Sequence, residues 1–157
     1  MKKDYTVFSS AHFITFAGHR CESLHGHNYR VGVALDGALD KDGWYVLDFS
    51  FIKRLMRQLC DEIDHKVLLP LENPKLGIVT ADGAVSVNYE GAQRYVFPAR
   101  DCALLPIPNT TVEMLARHLA TRLLTQLGDA NVAHLTSIEM EVEESFGQSA
   151  TYRETLV

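Results

Sequence analysis

From Asn28 to Leu35 the chain alternates. Tyr29, Val31, Val33 and Leu35 fall on one phase, and Asn28, Arg30, Gly32 and Ala34 on the other. A period of two marks a strand with one buried face, so a strand is predicted over 28–38. The phase matters more than the strand. His25 and His27 share the phase of Val31 and Val33 and face inward if the strand begins that early. Two imidazoles at i and i+2 project from one face and form half of a zinc site. Without a metal, two inward imidazoles are costly to satisfy. Gly26 between them is expected to let the backbone pass close to whatever the pair holds. His12, in Phe8-Ser9-Ser10-Ala11-His12-Phe13, could supply a third nitrogen, although alone it reads as a core histidine. Three His ligands plus one open position is a catalytic arrangement, whereas structural zinc is usually closed by four protein ligands.

The rest of the chain sets the limits around that strand. A length of 157 residues suits one domain, 1–157, with its own core. A hydrophobic fraction of 46% gives ample material for burial and argues against disorder. No apolar run approaches a membrane span. The start, Met1-Lys2-Lys3-Asp4-Tyr5, has a basic pair without the apolar stretch of a signal peptide. Three scattered cysteines do not make a disulfide framework, so a cytoplasmic setting is expected. The net charge of −5 argues against broad nucleic-acid binding and leaves room for a small anionic substrate held by a local basic group.

Further elements follow from pattern. A first strand is predicted over 3–13 and a turn at Asp40-Lys41-Asp42-Gly43. Asp48 is a plausible N-cap for a helix from Phe49 to about Ile63, with Ile52, Leu55, Met56, Leu59, Cys60 and Ile63 as its buried stripe. A small β excursion is expected over 76–97, turning at Asp82-Gly83, before prolines 98, 106 and 108 break the pattern. A second helix spans about 111–127, with Thr110 as N-cap, Glu113 closing a capping box and Gly128 as the stop. Strands at 135–144 and 148–156 complete an α+β chain with helices on one face of an antiparallel sheet.

Other residues carry chemistry. Ile138, Met140 and Val142 share one face of their strand, and Glu144 falls in phase with them. Either the strand has ended and Glu144 is in water, or it is a buried carboxylate receiving N–H groups of a ligand. Asp64-His65 also has two readings: a His favoured at a helix C-terminus, or a proton-transfer His oriented by its Asp. Cys21 lies four positions before His25, close enough to reach the same pocket through a loop. Next to a cationic metal its thiol pKa would fall, making a thiolate available as a base.

Taken together, Ala11-His12, Cys21 through Tyr29, Gly43-Trp44, Leu47-Asp48-Phe49, Asp64-His65-Lys66, Asn109 through Glu113 and Glu144 through Tyr152 resemble the 6-pyruvoyltetrahydropterin synthase / 6-carboxytetrahydropterin synthase family. The resemblance covers nearly the whole chain. It implies the tunnelling fold, a four-stranded antiparallel sheet with two helices, assembled as a homo-oligomer and by family pattern a hexamer. It implies a zinc enzyme acting on 7,8-dihydroneopterin triphosphate. Residue by residue, His12, His25 and His27 would bind Zn2+, Cys21 would be the general base with Asp64 and His65 as its relay, and Glu144 would anchor the pterin. Thr111 and Glu113 match family positions near the pterin, reached from a neighbouring subunit. The short gap between Cys21 and His25 resembles the carboxytetrahydropterin synthases of queuosine biosynthesis. Glu22 occupies the place where a related group uses Glu in a folate-branch cleavage to 6-hydroxymethyldihydropterin, so the chain resembles members thought to serve both pathways. A pyruvoyl-forming enzyme and a pterin- or zinc-binding module without turnover are the alternatives, and Cys21, Asp64 and His65 together favour an enzyme.

Overall fold

A computed structural model describes residues 1–156 and, within them, every side chain but those of Lys3, Asp4, Asp129 and Ala130. Its centre is an antiparallel run of four strands: β1 (Lys2–His12), β2 (His25–Gly37), β8 (Leu135–Ser145) and β9 (Gln148–Thr155), adjacent in the order β1-β2-β8-β9. This is the sheet that the sequence predicts, and β2 begins at His25, as the inward phase of the two histidines requires. Two further strands, β3 (Lys66–Pro70) and β7 (Cys102–Leu105), extend the β1 edge in parallel and make the sheet six-stranded. They are too short to show alternation, and both contain the consecutive apolar pairs of short parallel strands.

Helices α1 (Phe49–Asp61) and α2 (Val112–Leu127) lie on one face of the sheet, α1 against β1 and α2 against β8 and β9. A four-residue helix, α3 (Asp129–Val132), follows α2. Ile52, Met56 and Leu59 of α1 and Leu115, Leu119 and Leu123 of α2 meet Phe8, Tyr29, Val31, Val33, Leu35, Ile138, Met140 and Val142 in one core. Each fully buried large aliphatic side chain contributes roughly 1.5–3 kcal/mol, so this stripe-to-face match fixes both helices. No helix among the described residues is long and apolar enough to cross a membrane.

Asp48 caps α1 as expected, its carboxylate accepting from Ser50 N at 2.7 Å. The cap of α2 differs from the expectation by one residue. Thr111 accepts from Met114 N at 3.4 Å and is the N-cap. Thr110 is fully buried, and its hydroxyl donates to Phe13 O at 3.0 Å. With that hydroxyl committed to the end of β1, the cap shifts onward and Glu113 stands exposed in the first turn rather than closing a capping box.

The β excursion is a separate three-stranded meander, β4 (Leu76–Ala81), β5 (Ala84–Tyr89) and β6 (Ala92–Pro98). Both of its turns have two residues with positive φ, Asp82 (50°) with Gly83 (75°) and Glu90 (49°) with Gly91 (86°), the type I′ geometry that suits twisted hairpins. Val85 and Val87 bury the inner face of β5 against Phe13 and Leu69 in a second, smaller core.

Candidate metal centre and active site

Antiparallel pairing of β1 with β2 places His12 opposite His25 and Ser10 opposite His27. All three imidazoles project to the helix side at the open end of the sheet. Their ring centroids are 4.8 Å (His12–His25), 5.2 Å (His12–His27) and 4.8 Å (His25–His27) apart. Their candidate ligand atoms all lie within 4.8 Å of one another. Hydrogen bonds fix two of the rings. His12 Nδ1 lies 2.9 Å from Thr110 O, and His25 Nδ1 lies 2.9 Å from Ser23 O. Each Nδ1 therefore donates, which leaves each Nε2 with its lone pair. His12 Nε2 is buried with no hydrogen-bond partner among the described residues. An acceptor left so costs about 1–3 kcal/mol. Burial lowers the His12 pKa to about 4, outweighing the Thr110 hydrogen bond, so the ring is neutral near pH 7 as a ligand must be. The three residues fit a single metal ion.

Thr110 has a role that pattern reading gave to capping. Its carbonyl orients His12 while its hydroxyl binds Phe13 O, so one residue joins the start of α2 to the last ligand-bearing turn of β1. Gly26 also acts differently from the expectation. A Cβ there would meet Ser10 O of β1 at 3.3 Å, so the close approach is to the neighbouring strand on the face away from the rings.

Below the cluster lies Tyr29, stacked on Phe8 at 4.7 Å and edge-on to His27 at 5.6 Å. It is fully buried and its hydroxyl has no hydrogen-bond partner among the described residues. Burial first, then Glu144 and Glu22, push its pKa up, so it stays a proton donor. Sequence reading passes over Tyr29 because in an alternating strand it looks like core; the polar tip beside two histidines was the available signal. Glu144 is half-buried and keeps the apolar phase. It falls in the bulge where the β8–β9 register shifts between Glu143 and Ser145. It is therefore not a fully solvated residue past the strand end.

Cys21 and Glu22 lead into β2. Glu22 Oε2 accepts from Ile14 N at 3.2 Å and stands 3.9 Å from His25 Nδ1. That places its carboxylate on the wall of the His cluster. Cys21 forms a bridge with Thr15, and its thiol donates to Glu22 O at 3.7 Å. Burial pushes the thiol pKa up, with Arg94 pulling it down and Glu22 adding to the rise. The chain's own electrostatics thus oppose the lowered thiol anticipated beside a cation.

Asp64 and His65 sit elsewhere. Asp64 Oδ1 accepts from Ser9 N at 2.8 Å, and Oδ2 lies 2.9 Å from His65 Nδ1. The Ser9 N–H first, and His65 after it, hold the Asp64 carboxyl below the usual range. His65 has φ 55° and a side chain 82% exposed, so it is held for reach into solvent rather than for packing. His65, but not Asp64, lines a cavity of about 520 Å³ together with Ser9, Ala11, Gly26, Asn28 and Lys66. Its only contact with the metal cluster is His27, and Cys21 does not line it. Among the described residues, no hydrogen bond or ion pair joins Cys21 to Asp64 or His65. Thr111 accepts the helix-cap bond and keeps its O–H to donate, and Glu113 is exposed in the first turn of α2.

The sequence pattern of 6-pyruvoyl tetrahydropterin synthases matches residues 2–155. The chain belongs to that family. Among relatives of the family, a Methanocaldococcus jannaschii protein provisionally named 6-carboxy-5,6,7,8-tetrahydropterin synthase is 38% identical over 149 residues, 95% of this chain and 90% of its own. The solved 6-pyruvoyl tetrahydropterin synthase of Plasmodium falciparum superposes with a TM-score of 0.90 at 30% identity, covering 99% of this chain and 98% of that one. A variant of the Plasmodium vivax synthase, in which a glutamate described as catalytic is replaced by alanine, gives a TM-score of 0.88 at 30% identity and covers 99% of both chains. The family fold, a sheet with two helices on one face, is therefore that of this chain.

Proposed function

We propose that this chain is a zinc-dependent lyase converting 7,8-dihydroneopterin triphosphate to 6-carboxy-5,6,7,8-tetrahydropterin, in the cytoplasm and on the route to 7-deazaguanine compounds such as queuosine. The observation that carries the reading is the buried, unpartnered Nε2 of His12 facing two further imidazoles. Relatives named for this activity support the choice of product. His12, His25 and His27 would hold the zinc and leave a fourth position for substrate. When bound, zinc supplies Lewis-acid polarisation of side-chain oxygens. Glu144 would accept ring N–H groups of the pterin and fix its orientation. Tyr29 would stay protonated and donate at the floor of the site. Cys21 would take a proton from the polarised side chain. Asp64 and His65, 2.9 Å apart, would pass protons onward from a second copy, since no hydrogen bond joins either to Cys21 among the described residues.

A second reading has its own observation. Glu22 is anchored by Ile14 N and stands 3.9 Å from a metal-binding ring, so it could serve as a base for cleavage to 6-hydroxymethyldihydropterin. The glutamate described as catalytic in the Plasmodium vivax protein supports that role. Product separation after incubating the zinc-loaded chain with dihydroneopterin triphosphate tests both. Wild type should yield 6-carboxytetrahydropterin, and Cys21→Ala should abolish it while keeping zinc. Glu22→Ala should lose only the hydroxymethyl product. No pterin product from wild type removes both readings and leaves a binding module, while a Glu22→Ala profile identical to wild type removes the second alone.

A further inference from the structure

The meander β4–β6 has no task in the reaction above. It is anchored beside the His cluster, because Val85 and Val87 pack on Phe13, the neighbour of His12. Its third strand then carries a bulge. Val87 pairs with Tyr95 and Asn88 with Gln93, so Arg94 is the extra residue in β6. Bulges interrupt alternation and re-aim a side chain, often beside active sites. Here the re-aimed group is the Arg94 guanidinium. Its Nη2 donates to Glu22 O at 3.0 Å and to Cys21 O at 3.4 Å. The next residue continues the grip, its Tyr95 hydroxyl accepting from Leu24 N at 3.2 Å. All three bonded groups lie in the linker between the Thr15–Cys21 bridge and the start of β2 at His25. Backbone pairing with the neighbouring segment ends at Glu22, whose N–H donates to Ile14 O at 2.9 Å, and no strand resumes before His25; the linker carries both side chains assigned to proton transfer.

We propose that Arg94 is a positioning residue, holding the Cys21–Glu22 peptide from outside the site so that thiol and carboxylate keep fixed places around the His12–His25–His27 cluster. The inference rests on the reading of Cys21 and Glu22 given above. Arg94 touches no reacting atom. It acts through two carbonyls, with charge-assisted bonds that a permanently protonated side chain makes at any working pH. Arg94 also stacks near Tyr89 and Tyr95, with centroid distances of 6.0 and 5.4 Å, which limits where its head can go. A displacement of a catalytic group by about 1 Å can cost on the order of a hundredfold in rate, so a linker in which no strand resumes before His25 needs such a restraint.

The test compares Arg94→Met and Arg94→Lys with wild type, all zinc-loaded. Both bonds come from one nitrogen, so an ammonium can make them and a thioether cannot. Arg94→Met should lower kcat by about tenfold or more with KM within about threefold, and Arg94→Lys should recover most of the loss. Independently of turnover, backbone amide exchange over residues 21–27 should quicken in Arg94→Met while exchange in β8 stays unchanged. Wild-type exchange and turnover in Arg94→Met overturn the proposal. So does a loosened linker with no loss of kcat, or a failure of lysine to rescue. Loss of zinc or global unfolding in Arg94→Met also overturns it, because Arg94 would then hold the fold rather than the linker. If the wild-type chain makes no pterin product, it is the reaction reading that fails, and the exchange comparison alone decides whether Arg94 holds the linker.

Discussion

Tyr29 shows how a single buried atom separates packing from function. Its ring is core, and among the described residues its hydroxyl has no hydrogen-bond partner. An orphaned donor of this kind costs about 1–3 kcal/mol in the free protein, and the cost is recovered only if a ligand accepts the bond. Tyr29→Phe should therefore leave the metal-free chain at least as stable as wild type while weakening pterin binding about tenfold, which corresponds to about 1.4 kcal/mol. Thermal unfolding and a pterin titration check the two halves; a destabilised metal-free variant would show that the hydroxyl is already satisfied. Glu144 belongs to the same argument. A half-buried carboxylate that accepts two N–H groups of a ring loses its charge-assisted bonds on conversion to an amide, each worth roughly 1.5–3 kcal/mol. Glu144→Gln should weaken pterin affinity by at least about tenfold without changing zinc content, and an unchanged titration would place Glu144 outside the pocket.

At the scale of elements, Thr110 links the helix layer to the metal ligands. Its hydroxyl fixes Phe13 O, and its carbonyl orients His12. Thr110→Val keeps the volume and leaves Phe13 O unpaired, so stability should fall by about 1–3 kcal/mol, or roughly 3–10 °C in Tm. Zinc affinity should fall about tenfold or more, because a group that orients a ligand contributes to metal binding. A variant with wild-type zinc affinity would mean that Thr110 O keeps its place without the hydroxyl. The same residue shows what could and could not be read in the sequence. The periods of 2 and 3.6 carried the four long strands and both helices, because each buries one face against a shared core. The His25–His27 phase carried the metal site for the same reason. By contrast, β3 and β7 are short parallel strands whose pairing is wholly non-local, so no local pattern announces them. The cap of α2 moved because Thr110 found a tertiary partner in Phe13 O, which no reading of residues 110–113 contains. The linker contacts of Arg94 depend on a bulge in β6, and a bulge is set by the register of two strands rather than by either sequence.

At the scale of the molecule, the proposed proton relay draws on two separate parts of the chain. Glu22 stands beside His25, directly after Cys21, while Asp64 is tied to Ser9 and His65, and His65 lines a cavity that Cys21 does not. A side chain as exposed as His65, at 82%, on a left-handed backbone position gains nothing from its own chain's packing. Large apolar side chains are also exposed, among them Phe146 at 98% and Trp44 at 77%. If the relay operates between copies, Cys21→Ala and His65→Ala damage different halves of each composite site. Each variant alone should be inactive. Co-expressed in equal amounts and assembled at random, a site needs Cys21 from one copy and His65 from its neighbour, each present half the time, so about a quarter of wild-type activity should return. Unfolded variants would give no return for a trivial reason, so zinc content and melting of each are measured alongside. With both variants folded and metal-loaded, a mixture as inactive as its components would show that His65 does not serve the Cys21 of another copy.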